Sequence, residues 1–246
     1  IMRSKHVKGE TLDFCQMKTY MDDDALVVAR KKGKIIKCID MEMALITEKS
    51  IRFIVFNFSS VRALKFADCS QLINEDLKLL GSLPYLCSLC LSRNKWLTDE
   101  GIKNLDTSKR LAKLQVVKCT QLTSQAALIL KERKDNILHA LDISHCPKVK
   151  DDAVQYLSDI KTLRELALSN VDTDESVKAL SKLDLFTLRI YQSNFPSKAL
   201  RHLKRINFVN LEFYHCKEIL DDDINNILHT NADSIINHIS NPEPHS

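Results

Sequence analysis

The chain has 246 residues, 44% hydrophobic and 28% charged, with four glycines and five prolines, a composition that suits a folded globular protein and excludes a low-complexity chain. No apolar run approaches the roughly 18 residues a membrane-spanning helix requires, and a formal net charge of +4 is too small to argue for nucleic acid as a partner. Eight cysteines spread from Cys15 to Cys216 fit a reducing compartment better than a disulfide framework.

Residues 1–34 read as an N-terminal capping segment. The chain opens on Ile1, so a start upstream is expected, and the basic Met2-Arg3-Ser4-Lys5 is too short to read as a targeting peptide. Leu12-Asp13-Phe14 is a candidate strand. Asp22 to Gly33 spells a helix, with acids at its start, bases at its end and a glycine where a left-handed cap is favoured. Charge is uneven here: residues 1–37 hold nine Lys or Arg against five Asp or Glu, while the remainder balances at 27 of each. The excess centres on Arg30, Lys31, Lys32, Lys34 and Lys37. A solvated helix end favours such cations; the functional reading is contact with an anionic lipid surface or an acidic partner.

From Ile36 onward one phrase recurs, clearest at Leu138-His-Ala-Leu141-Asp-Ile143-Ser-His-Cys146: L-x-x-L-x-L-x-x-C. Aligned on its last position, the chain gives the column Ala44, Cys69, Asn94, Cys119, Cys146, Val171, Ser193 and Cys216. Its members are spaced at roughly 25 residues, within the range of known repeat periods; the fourth interval is slightly longer and the last two are shorter. An apolar triplet precedes each, such as Val61/Leu64/Phe66 or Leu163/Leu166/Leu168, and its last two members share one face of a short strand. An apolar residue follows three positions on (Leu72, Leu97, Leu122, Val149, Ile219). A polar N-cap zone comes next, as at Thr98-Asp-Glu or Lys150-Asp-Asp, and then a helix with Leu77, Ile102, Val154 or Ile224 inward. Strand, turn and helix once per interval is the leucine-rich repeat. The fold class is therefore α/β: a right-handed solenoid of about eight repeats over 35–230, with a parallel concave sheet and helices on the convex side. Residues 231–246 form a C-terminal cap and polar tail. A small column residue is expected where the chain leaves the strand, because loop amides and carbonyls there need compact partners. The short sixth and seventh intervals lead us to expect a change of curvature.

Signals for chemistry are weak. Cys87-Ser-Leu-Cys90 lies in a predicted strand, where residues three apart face opposite ways. His145-Cys146 and His215-Cys216 are three repeats apart, on the order of 14 Å at about 4.8 Å per stacked strand, too far for one ion. The acids at 22–24 and 221–223 precede helices and read as caps. The chain contains no Gly-rich phosphate loop, G-x-S-x-G or His-Glu-x-x-His. Neither catalysis, metal nor cofactor is expected. On the concave face the outward columns are Asp40, Lys65, Cys90, Gln115, Asp142, Ala167, Arg189, Glu212 and Glu42, Ala67, Ser92, Val117, Ser144, Ser169, Tyr191, Tyr214. Tyr191 and Tyr214 should be neighbours beside Arg189, Gln192 and His215. Tyrosine and arginine are enriched at the energetic centres of interfaces, so the five form the candidate partner-binding face.

Two resemblances follow from these residues. The repeats at 61–80, 86–105 and 138–157, with Leu97-Thr-Asp-Glu-Gly101, resemble the cysteine-containing leucine-rich repeats of F-box substrate receptors, although the first 35 residues carry no recognisable F-box. Lys34-Ile-Ile-Lys-Cys-Ile-Asp40, Val61-Arg-Ala-Leu-Lys-Phe-Ala-Asp-Cys69 with Asn74-Glu-Asp-Leu77, and Leu163-Arg-Glu-Leu-Ala-Leu-Ser-Asn-Val171 with Glu175-Ser-Val177 resemble the mitochondrial ATP synthase subunit s (coupling factor B) family. They also resemble the related distal membrane arm assembly proteins of respiratory complex I. That likeness covers residues 24–190; the repeats beyond it exceed what the shorter members carry. It implies a non-catalytic accessory or assembly subunit of a mitochondrial membrane complex, with a multisubunit protein partner. The first resemblance implies instead a cytoplasmic adaptor in ubiquitin ligation.

Overall fold

The computed structural model describes residues 7–8, 10–13, 31, 34–134, 136–220, 222–224 and 235–239. The helix expected at 22–33 lies outside them apart from Lys31, as do Arg30, Lys32, Asp221 and the tail at 241–246. The chain divides into two compact units, Ile1–Gln121 and Leu122–Ser246. The division falls at the start of the one lengthened interval.

In the first unit β1 (Val7–Lys8) pairs antiparallel with β2 (Thr11–Asp13). Then β3 (Cys38–Asp40), β4 (Ala63–Lys65), β5 (Ser88–Cys90) and β6 (Lys113–Gln115) follow in parallel, with Ile39, Leu64, Leu89 and Leu114 in register. In the second unit β7 (Ala140–Asp142), β8 (Glu165–Ser169), β9 (Thr187–Tyr191), β10 (Asn210–Tyr214) and β11 (Ile235–Ile239) are likewise parallel neighbours. The chain returns through α1 (Glu48–Asn57), α2 (Leu77–Leu80) and α3 (Asp99–Asn104) in the first unit. Helices α4 (Ser124–Glu132), α5 (Asp151–Leu157) and α6 (Asp174–Leu180) do the same in the second. Each unit is thus an α/β leucine-rich repeat solenoid. In the shortened seventh repeat a 3-10 helix, Ser197–His202, replaces the α-helix, and Phe195, fully buried, fills its core side.

The repeated phrase is the core. In all eight repeats, all three triplet residues are no more than 3% exposed. The column residues are buried too, none above 4% exposed, and they bond as the sequence suggests. The thiols of Cys69 and Cys119 donate to Met41 O (3.1 Å) and Leu91 O (3.2 Å) in the preceding repeat. Asn94 reaches the equivalent acceptor, Phe66 O, at 2.7 Å, and its Oδ1 accepts from Cys69 N at 2.7 Å. The Ser193 hydroxyl accepts from Val171 N at 2.9 Å. Compact polar groups here satisfy backbone that would otherwise be buried without partners.

A second column runs beside the first and is only half marked in the sequence, by Asp68, His145, Asn170 and His215, types that accept positive φ. The residue before each column position has positive φ: Met43, Asp68, Arg93, Lys118, His145, Asn170, Gln192 and His215 lie between 49° and 64°. This left-handed step turns the chain out of the strand while keeping its amide on the ladder: Met43 N, Asp68 N and Arg93 N donate to Ala67 O, Ser92 O and Val117 O.

Helix capping follows expectation at α4 and α6, where Thr123 and Thr173 accept from Gln125 N and Ser176 N, and departs from it at α3 and α5. Thr98 and Lys150 hold the N-cap positions of α3 and α5 without a side-chain cap bond. Thr98 Oγ1 instead accepts from Asn74 Nδ2 (2.9 Å), and Asp151 Oδ1 accepts from Asp172 N in the next repeat (3.0 Å). In a stacked array the neighbouring loop presents polar groups as near as the helix's own, and these side chains answer them. Gly101 belongs to the same joint, since a Cβ there would lie 2.4 Å from Asn74 Oδ1.

Candidate functional site

The site is built on the open face of the second unit's sheet. Parallel register places Tyr191 of β9 beside Tyr214 of β10, and Arg189 beside Glu212. The tyrosine rings stack at 4.7 Å between centroids and 8° between planes. His145, in the left-handed step after β7, lies over the other side of Tyr191 at 4.9 Å. Its Nδ1 is 3.2 Å from Gln192 Oε1. Three rings from three repeats thus form one aromatic row, and Ser169, in register with Tyr191, is buried, as is Ser144. Small residues in the second outward column leave space that the large ones lean across.

Polar groups fix the row. Glu212 Oε2 accepts from Arg189 Nε and from the Tyr214 hydroxyl, both at 2.8 Å. Burial pushes the Tyr191 hydroxyl up to about 12, with the Asp142 carboxylate adding to the effect. Burial likewise raises Tyr214, together with its bond to Glu212. Both phenols are therefore neutral donors at physiological pH.

Of the five residues singled out, the structure brings Arg189, Tyr191, Gln192 and Tyr214 into this cluster. His215 follows Tyr214 and lines the adjoining open depression with Asp172, Gln192, Ser193, Asn194 and Lys217. Sequence reasoning missed His145 and Glu212. Glu212 had a signal, because it stands directly opposite Arg189 in register. His145 had none short of knowing that the left-handed step throws its ring across two strands.

The first unit's open face is different in kind. There Lys65 Nζ pairs with Asp40 at 2.9 Å, and Arg93 pairs with Glu42 two repeats away. Of the basic cluster, Lys31 and Lys34 are exposed, while Lys37 Nζ pairs with Glu10 at 2.6 Å. The Cys87 and Cys90 thiols are free and point to separate partners, Arg62 O and Ser92 Oγ. Among the described residues, no group of three or more His, Cys, Asp or Glu is placed to hold a metal ion.

The chain matches no protein-family model and no curated protein. Solved structures resemble it in fold. Internalin C2 of Listeria monocytogenes shares 18% identity at a TM-score of 0.58, with 85% of this chain and 84% of that one covered. Yeast Rad7, in its complex with Elc1, gives 13% identity and 0.47 over 96% and 79% of the two chains. TLR13, in its complex with ssRNA13, gives 14% and 0.42 over 83% and 39%. The fold and the phrase define an α/β leucine-rich repeat protein. At so low an identity the internalin likeness concerns architecture alone.

Proposed function

We propose that the chain is a non-catalytic protein-interaction module that captures its partner on the aromatic row of the second unit. The observation that carries this is the stacked pair Tyr191 and Tyr214 with the His145 ring tilted against Tyr191, pinned by Glu212, Arg189 and Gln192. It is a preorganised patch of the residue types that dominate interface energetics, held so that little side-chain entropy remains to be lost on binding. Rigid aromatic groups, with the neutral Tyr191 hydroxyl as a donor and the Tyr214 hydroxyl already committed to Glu212, suit a protein surface that supplies an acceptor and apolar contact.

The more specific reading is an accessory or assembly subunit of a mitochondrial membrane complex, ATP synthase or respiratory complex I. Its support is the resemblance of the segments at 34–40, 61–77 and 163–177 to the coupling factor B and distal membrane arm assembly families. The test is native electrophoresis of mitochondrial membranes from cells expressing the tagged chain, with Tyr191→Ala/Tyr214→Ala alongside. Co-migration of the wild type with one of those complexes, lost in the double variant, is the expected result. Recovery with ubiquitin-ligase scaffold proteins instead would overturn the mitochondrial reading in favour of an adaptor.

A further inference from the structure

On α1 the inward stripe is complete without Phe56: Ile51, Ile54 and, at the C-cap, Phe58 are fully buried. Phe56 lies two residues beyond Ile54, about 200° round a helix of 3.6 residues per turn, and is 88% exposed. Beside it Phe53, Val55 and Leu79 are half-buried and line a shallow groove with Arg52 and Asn57. The core does not use this phenylalanine, and because it shares its groove with Phe53, Val55 and Leu79 it belongs to an apolar surface patch and does not stand alone.

Charge identifies the occupant. Lys49, Arg52 and Lys78 are exposed on α1 and α2, against Glu48 and Glu75; Arg52 Nε holds Glu48 at 2.7 Å. Asp76 is turned inward, its Oδ2 accepting from Ile73 N at 2.9 Å. The register Cys38↔Ala63 fixes the length of one repeat here. Counted by that length, Lys31 holds the place one repeat before Phe56, and Lys34 and Ile35 the places before Ser59 and Ser60. Lys31 and Lys34 are exposed, and Ile35 is 54% exposed. The patch thus joins exposed apolar side chains to five cations and two exposed carboxylates.

We propose that this helical face of the first unit is a docking surface for a bilayer containing anionic phospholipid. Phe56, with Val55 and Ile35, enters the headgroup region. Lys31, Lys34, Lys49 and Lys78 lie against the phosphates. Shallow insertion of aromatic and aliphatic groups flanked by lysines is the chemistry of interfacial attachment. It needs no spanning segment, and no helix among the described residues is long and apolar enough to be one. The surface is independent of the aromatic row, since its residues and its ligand are different.

The test is flotation of the full chain with vesicles of phosphatidylcholine alone or with about 30% phosphatidylserine, at about 0.1 M salt. The wild type should float with the anionic vesicles and stay behind with the neutral ones. Phe56→Ser should cut the bound fraction about fivefold, and Lys31→Glu/Lys34→Glu at least as much, given the attraction each lysine contributes near such a surface. The melting temperature of Phe56→Ser should match the wild type, because the side chain lies outside the core. A wild-type chain that ignores anionic vesicles overturns the proposal and leaves the patch to a protein surface. Equal flotation of Phe56→Ser overturns it as well.

Discussion

The amide of Cys69 donates to Oδ1 of Asn94 across 2.7 Å, although the two residues are 25 positions apart. The same Asn94 returns its Nδ2 to Phe66 O at 2.7 Å and Leu91 O at 2.9 Å. One buried side chain thus satisfies backbone in its own repeat and in the one before. Asn94→Ala strips partners from a buried amide and two carbonyls, and should cost about 3 kcal/mol. Asn94→Cys keeps a donor for Phe66 O and should cost roughly half as much. Urea unfolding of both variants decides this; equal losses would mean that the column acts through volume and not through hydrogen bonds.

The left-handed column makes a prediction of opposite sign. Lys118 is exposed with φ 58°, a conformation that penalises any residue with a Cβ. Lys118→Gly should leave stability unchanged or raise it by up to ~1 kcal/mol, the relief of strain being partly offset by a more flexible unfolded chain. Lys118→Val should lose about 1 kcal/mol or more, because β-branching makes positive φ worse. Thermal melts of the pair check it.

For the aromatic row, Tyr191→Ala and Tyr214→Ala should each weaken partner capture by tenfold or more, while lowering stability by only about 1 kcal/mol, the worth of a partly exposed ring contact. Glu212→Gln should weaken capture less, because it loosens the row without removing a ring. Binding by quantitative pull-down, with circular dichroism as the fold control, separates the effects. Wild-type capture by both tyrosine variants would remove the site.

Much of this architecture is legible in the sequence because burial imposes the period. Leu64, Leu89 and Leu114 must recur at one fixed spacing to stay in register, and Cys69 and Cys119 must be small to fit beneath the turn. Tyr191 and Tyr214 could be paired in advance for the same reason. The left-handed step was half hidden: Asp68, His145, Asn170 and His215 are types that accept positive φ, but Met43, Arg93, Lys118 and Gln192 do not announce it, and stacking of neighbouring repeats imposes it on them as well. His145 joined the site unannounced because its contact with Tyr191 spans two repeats. Strand β11 was equally hidden: Ile235–Ile239 lacks the leucine phrase, and its pairing with β10 comes from an open strand edge.

Stability should fall in alkali. Burial raises the Cys69 thiol to about 12 and Cys119 to about 11, from an ordinary value of 9.0, and raises Cys216 as well. Each folded-state value lies above that of the unfolded chain, so the stabilising contribution is complete below pH 9 and is lost as pH climbs toward the folded values. The slope should be on the order of 1 kcal/mol per pH unit for each buried thiol. Cys69→Ala should flatten the decline between pH 9 and 11 even though it is less stable at neutral pH.

The most direct test of the buried column is a timed alkylation of the native protein with iodoacetamide at pH 8, read by mass spectrometry at each cysteine. Alkylation needs both access and thiolate. Cys87 and Cys90, half-exposed on the first unit, should label within the pulse. Cys69, Cys119, Cys146 and Cys216, all buried, should stay unmodified until denaturant is added. Native labelling of Cys69, Cys119 and Cys146 at the rate of Cys87 would contradict the account.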